Sequence, residues 1–95
     1  MFEFDISEQA DQQLEGLKSS KSEKKRYKAV KRCLAKLRQN PRHPGLNSAP
    51  MHGRKCPHGE TLWHSYAENN TPAAYRVFWC YHPTERNVIC VIAIT

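Results

Sequence analysis

Two short segments, Leu62-Trp63-His64-Ser65-Tyr66 and Ala74-Tyr75-Arg76-Val77-Phe78-Trp79, flank a Glu-Asn-Asn-Thr-Pro sequence that forms turns readily. Rich in aromatic and β-branched residues, they read as the two arms of a β-hairpin. So many rings need a cover on at least one face, which places the hairpin in a sheet packed against another layer. A single charge, Arg76, interrupts the apolar run. A guanidinium cannot shed its charge and is costly to bury without a partner, and the next acid along the chain is Glu85, beyond the strand. Arg76 therefore calls for a structural pair from elsewhere or for an anionic ligand.

The rest of the chain supplies the cover. Phe2 to Ile6 alternates apolar and acidic residues and reads as a strand with Phe2, Phe4 and Ile6 inward. Ser7 is placed to cap a helix whose first turn holds Glu8 and Asp11, where the helix dipole favours negative charge. That helix puts Ala10, Leu14 and Leu17 on one face and fades at Lys18-Ser19-Ser20. Ser20 and Glu23 fit a capping box for a second helix. Its apolar stripe is Tyr27, Val30, Cys33, Leu34 and Leu37, and Asn40-Pro41 stops it. Pro41, Pro44, Pro50 and Pro57 exclude a long helix from the next stretch, where Leu46 and Met51 are the visible anchors and a strand cannot be placed. Strands are expected at about 61–67, 73–82 and 88–95. The last, Val88 to Ile94, is apolar on both faces and belongs inside the sheet. The 95 residues therefore predict one α+β domain over 1–95: an N-terminal strand, a two-helix hairpin, then an antiparallel sheet of three to four strands with the helices on one face.

Charge is distributed unevenly. Ten of the 15 Lys and Arg residues lie between Lys18 and Arg38 with Glu23 as the one acid among them, whereas the first fifteen residues hold five acids and no base. At about 100° per residue, Lys21, Lys24, Lys25, Lys28, Lys31, Arg32, Lys36 and Arg38 cover the side of the second helix opposite its apolar stripe. A basic face of this kind favours a polyanion, most simply nucleic acid or an acidic protein. The acidic N-terminus has no signal-peptide pattern and no run reaches a membrane span, so a soluble cytoplasmic protein without membrane association is expected. In that compartment Cys33, Cys56, Cys80 and Cys90 are expected to be reduced, with Cys80 and Cys90 as small apolar residues facing one another across the last hairpin. Asn69-Asn70-Thr71 is then a glycosylation sequon in form only. His52, Cys56, His58 and His64 match no common zinc spacing, and neither metal nor cofactor is expected.

Taken in order, Leu37-Arg38-Gln39-Asn40-Pro41, His43-Pro44-Gly45-Leu46, Leu62 to Tyr66, Tyr75 to Trp79 and Val88 to Ile92 resemble the RelE/ParE superfamily of bacterial toxins over almost the whole chain. The resemblance implies the toxin of a type II toxin–antitoxin pair, held by a cognate antitoxin. RelE-like members cleave mRNA on the ribosome without a metal, whereas ParE-like members inhibit DNA gyrase. In the RelE-like branch a strand arginine of the Tyr-Arg-Val type contacts the scissile phosphate, a position that falls on Arg76. That branch usually carries further catalytic residues after the last strand, and this sequence ends at Thr95. The resemblance thus also leaves a gyrase inhibitor, or a paralogue that only binds nucleic acid or antitoxin.

Metal-free RNA cleavage needs a base for the 2′-hydroxyl, a cation for the charge developing on phosphorus and an acid for the departing 5′-oxygen. Arg76 suits the second role because its fork matches phosphate oxygens. A hairpin symmetric about Asn70 puts His64 across from Arg76, on the face of Tyr66, Ala74 and Phe78, where it could serve as base or acid, whereas a shift of one residue would put it opposite Val77 on the other face. Trp63, Val77 and Trp79 then pack inward, and Tyr66 and Phe78 remain beside Arg76 for substrate. Arg54 and Lys55, with Lys24, Lys28, Lys31 and Arg32 on the basic face, are the candidates for phosphate-backbone contacts.

Overall fold

A computed structural model describes residues 1–68 and 73–95. The turn around Asn70 and the sequon at Asn69 lie outside the described residues. Five strands and two helices follow one another as β1 (Glu3–Ile6), α1 (Glu8–Ser19), α2 (Lys24–Gln39), β2 (Ala49–Lys55), β3 (Thr61–Tyr66), β4 (Arg76–Tyr81) and β5 (Val88–Ile94), with short 3-10 turns at Lys21–Glu23 and Pro44–Leu46. They form one mixed sheet in the order β1-β5-β4-β3-β2. The α+β class and the two-helix cover agree with the pattern of the sequence. The sheet is larger than the three to four antiparallel strands expected, because the N-terminal strand joins it in parallel beside β5. Parallel neighbours cannot be joined by a tight turn, and here both helices and the strands β2 to β4 lie between β1 and β5 in the chain. Among the described residues no helix is long and apolar enough to cross a membrane.

Both helices pack on one face. Ala10 and Leu17 from α1 and Val30, Cys33, Leu34 and Leu37 from α2 meet Val77, Trp79, Ile89, Val91 and Ile94 of the sheet in a single buried cluster. Burial pushes the Cys33 thiol up to about 12 against a weaker opposing pull from Lys36, so it behaves as an apolar core group. Ile6, expected inward with Phe2 and Phe4, is 38% exposed, since the strand ends there and the chain turns into α1.

The N-terminus of α1 is built as its sequence requires and serves a second purpose. Ser7 Oγ accepts the Ala10 N–H at 3.0 Å and donates to the Ile92 carbonyl at 2.7 Å. Gln13 Oε1 takes the Ile94 N–H at 2.6 Å. β1 pairs with β5 only as far as Ile6 and Val91, so these two side chains satisfy the backbone groups that β1 leaves behind. The register of β4 against β5 slips by one residue between Phe78 and Trp79. This bulge lets Val91 and Ile94, three apart, both face the helices, a placement that plain alternation forbids.

The start of α2 differs from the capping box. Ser20 Oγ bonds Ser22 Oγ at 3.0 Å, and the Glu23 carboxylate turns to Arg26 at 3.2 Å. The intervening 3-10 turn sets Ser20 too far round to reach the first helical N–H groups, and no side-chain cap is made there. β2, the strand that the sequence could not place, is an edge strand. It tolerates Pro50 for that reason, and Gly53 at φ +81° carries it through an irregular register against β3.

Cysteine pairing also departs from expectation. Cys80 does stand opposite Cys90 across β4 and β5, but Cys56, in the connection between β2 and β3, is joined to Cys80 in a disulfide. Cys80 points away from the helices, into a small second cluster with Leu62 that the Cys56 connection covers. The bridge closes a separation of 24 residues, for which the loss of unfolded-chain entropy amounts to about 2 to 4 kcal/mol. Reduction with dithiothreitol, or Cys80→Ser, should lower the thermal midpoint by roughly 10 to 20 °C. A melting curve that does not move on reduction would show that the bridge carries no stability.

Candidate functional site

Arg76 opens β4 on the face turned away from the helices. Its strand pairs with β3 so that Tyr66 lies opposite Arg76 and His64 opposite Phe78, two residues from the symmetric register. An even shift leaves the alternation intact, so His64, Tyr66, Arg76 and Phe78 still share one face. The guanidinium sits 4.9 Å from the Phe78 ring centre and 6.0 Å from that of Tyr66. His64 lies edge-on to Tyr66 at 5.3 Å and nearly parallel to Phe78 at 6.2 Å. Among the described residues no carboxylate comes within salt-bridge distance of Arg76, the two ion pairs present both belonging to Arg26. The charge is held against aromatic faces and is not neutralised.

His64 is 9% exposed, and its Nδ1 accepts a long hydrogen bond of 3.4 Å from Arg76 Nη1. Burial, followed by the charge of Arg76, lowers its pKa below the ordinary value near 6.5, so the ring is neutral at pH 7. An anion at Arg76 would draw off the Nη1–H and free the Nδ1 lone pair to take a proton. The unfolded chain binds a proton at His64 more tightly than the folded one. This contribution to stability is therefore complete above pH 6.5 and is lost as pH falls from there toward the lower folded value. Urea unfolding between pH 7.5 and 5 should show the parent losing more stability than His64→Gln; equal losses would mean that the fold does not hold His64 neutral.

One flank of the basic face lines a groove of about 620 Å³ between α2 and the open end of the β3–β4 pair. Lys25, Arg32 and Lys36 line one wall along the i, i+7, i+11 flank of α2, and Ala29 between them leaves the floor open. Tyr66 lines the opposite wall, and so belongs both to the groove and to the Arg76 cluster. Lys24, Lys28 and Lys31 form the adjacent exposed stripe, joined by no ion pair among the described residues. Arg26, from the same basic stretch, is committed to structure. Its Nε donates to both Glu68 oxygens at 3.2 Å, its guanidinium lies 4.3 Å from the Tyr75 ring centre, and Glu68 takes the Tyr75 N–H at 2.8 Å. Burial acts to raise the Glu68 carboxyl, but the Tyr75 N–H and Arg26 outweigh it and hold it below the ordinary carboxylate value. This clamp ties the end of β3 to α2 at the edge of the groove, which Arg26 and Glu68 also line.

Arg54 and Lys55 do not join the site. Lys55 pairs with Thr61, five residues along β3 from Tyr66, which puts it about 16 Å from the level of Arg76. The position of β2 was not legible in the sequence, and so neither was this separation. The groove-lining role of Lys25 and Lys36 was visible only as membership of the basic face. The histidines and cysteine weighed as metal ligands are also dispersed: Cys56 is bonded to Cys80 and His64 stands beside Arg76. The donors that do converge among the described residues are Asp5, His82 and Cys90, whose ligand atoms lie within 4.8 Å of one another. They fit a metal poorly. His82 Nδ1 accepts N–H groups of Thr84 and Glu85 at 3.2 and 3.0 Å, which places the ring hydrogen on Nε2 and leaves no lone pair for an ion. Burial, then the charge of Asp5, raises the Cys90 thiol and keeps it protonated.

No protein-family model, curated protein or solved structure matches this chain.

Proposed function

We propose that this protein is a metal-free endoribonuclease acting on mRNA at the ribosome, the toxin of a toxin–antitoxin pair in the manner of the RelE-like branch. One observation carries the reading: an unneutralised guanidinium at Arg76 beside a neutral imidazole at His64, in a cluster that shares Tyr66 with a basic groove. His64 Nδ1 takes the proton of the 2′-hydroxyl as that oxygen attacks phosphorus. Arg76 meets the charge that develops on the non-bridging oxygens. The bond to the 5′-oxygen breaks, leaving a 2′,3′-cyclic phosphate and a 5′-hydroxyl. The proton needed at the 5′-oxygen falls to the hydroxyl of Tyr66, which stands beside both His64 and Arg76. Lys24, Lys28, Lys31 and Arg32 hold the phosphate backbone along α2, and Phe78 supports the guanidinium from below.

Purified protein added to translating ribosomes with a chelator present should cut mRNA and leave cyclic phosphate ends. Absence of cleavage, with inhibition of gyrase supercoiling in its place, would assign the protein to the ParE-like alternative. Neither activity, with RNA binding retained, would leave a nucleic-acid-binding module.

A further inference from the structure

A second cavity lies on the helix side of the sheet, where the segment after α2 folds back over β3 and β4. It measures about 260 Å³, just below the roughly 300 to 1,000 Å³ of sites for drug-sized ligands, which suits a single flat ring system. Its floor is aromatic. Trp63 and Trp79 stack at 5.7 Å with 16° between their planes, and Tyr81 meets Trp79 edge-on at 5.1 Å. Trp79 is buried, so Trp63 and Tyr81 supply the open faces.

The wall behind them is rigid and its polar groups are satisfied. Trp79 Nε1 donates to Ser65 Oγ at 2.8 Å, Ser65 donates to Ser48 Oγ at 2.6 Å, and Ser48 donates to the Pro41 carbonyl at 3.2 Å. The rim differs. His43 Nδ1 accepts the Gly45 N–H at 2.9 Å, which leaves Nε2–H as an outward donor. Arg42 is exposed and joined to no carboxylate among the described residues. An aromatic floor below a rim of donors and one cation fits a ligand that is flat, rich in acceptors and anionic. An apolar side chain from a protein partner would leave those donors without a role.

We propose that this pocket takes one base of a single-stranded RNA, stacked on Trp63, with its phosphate at Arg42. The pocket begins where α2 ends, so a strand lying along the Lys31, Arg32 and Lys36 side is led to it. Base stacking on an aromatic residue is sequence-tolerant, and its loss weakens binding by about 5- to 100-fold. The proposal rests on the reading of the basic face as an RNA surface but not on the cleavage chemistry.

Trp63 and Trp79 are the only tryptophans in the chain, so intrinsic tryptophan fluorescence reports on this pocket alone. Titration with the four nucleoside 5′-monophosphates should quench it saturably, ribose 5-phosphate should not, and Arg42→Ala should weaken the nucleotides about tenfold. Trp63→Leu, with folding checked by circular dichroism, should weaken nucleotide binding measured by calorimetry at least fivefold. The proposal is overturned by absence of saturable quenching, by ribose phosphate competing as well as nucleotides, or by N-acetyl-phenylalaninamide binding where nucleotides do not. Cleavage on ribosomes without mononucleotide binding would remove this pocket alone; nucleotide binding without cleavage would remove the nuclease reading and leave the pocket.

Discussion

Arg76→Ala is expected to abolish growth inhibition and to reduce mRNA cleavage on translating ribosomes by about 10²- to 10³-fold, the usual cost of removing a preorganised donor to a transition-state oxyanion. The fold should survive. Arg76 contributes a stack on Phe78 and one long bond to His64, worth on the order of 0.5 to 1 kcal/mol, and no buried partner loses a charge when it goes. His64→Gln keeps the size and hydrogen bonding of the side chain but cannot carry a proton at neutral pH, and should cost roughly 10²-fold or more. Loss with both substitutions supports the paired site. Loss with Arg76→Ala alone sends the proton chemistry to another group. Full activity in Arg76→Ala would remove the cluster from the mechanism altogether.

The second large effect belongs to α2. Replacing Lys24, Lys28, Lys31 and Arg32 together by Gln removes four exposed cations with little change in helix propensity, so the protein should fold as before. If each contacts a phosphate of single-stranded RNA, the slope of log K against log salt should flatten by about 3, and affinity at 0.1 M salt should fall on the order of 10²- to 10³-fold. The loss should be similar for all sequences, since phosphate contacts carry no base information. An unchanged salt slope would reduce these residues to a solvated face. Arg26→Gln tests a different property: it breaks the clamp on Glu68 and Tyr75, and any loss of binding should come with a loss of stability.

Much of the candidate site was legible in the sequence because alternation along a strand is a local property. His64, Tyr66, Arg76 and Phe78 fall on one face by parity, and a register two residues from the symmetric one left that face intact. The stripe of Val30, Cys33, Leu34 and Leu37, and the stop at Asn40-Pro41, likewise follow from helical spacing and from the geometry of proline. What the sequence by itself determined, then, was which residues share a face, where α1 begins and ends, and where α2 stops. Tertiary structure alone decided what those faces meet. The parallel docking of β1 on β5, the bulge that turns Val91 inward, the course of β2 with Arg54 and Lys55 far from Arg76, the Cys56–Cys80 bridge and the Arg26–Glu68 clamp all join residues far apart in the chain. No periodicity records such contacts. They are set by which surfaces fill the remaining space and which unpaired backbone or charged groups find a partner there, and that is decided only when the whole chain packs at once.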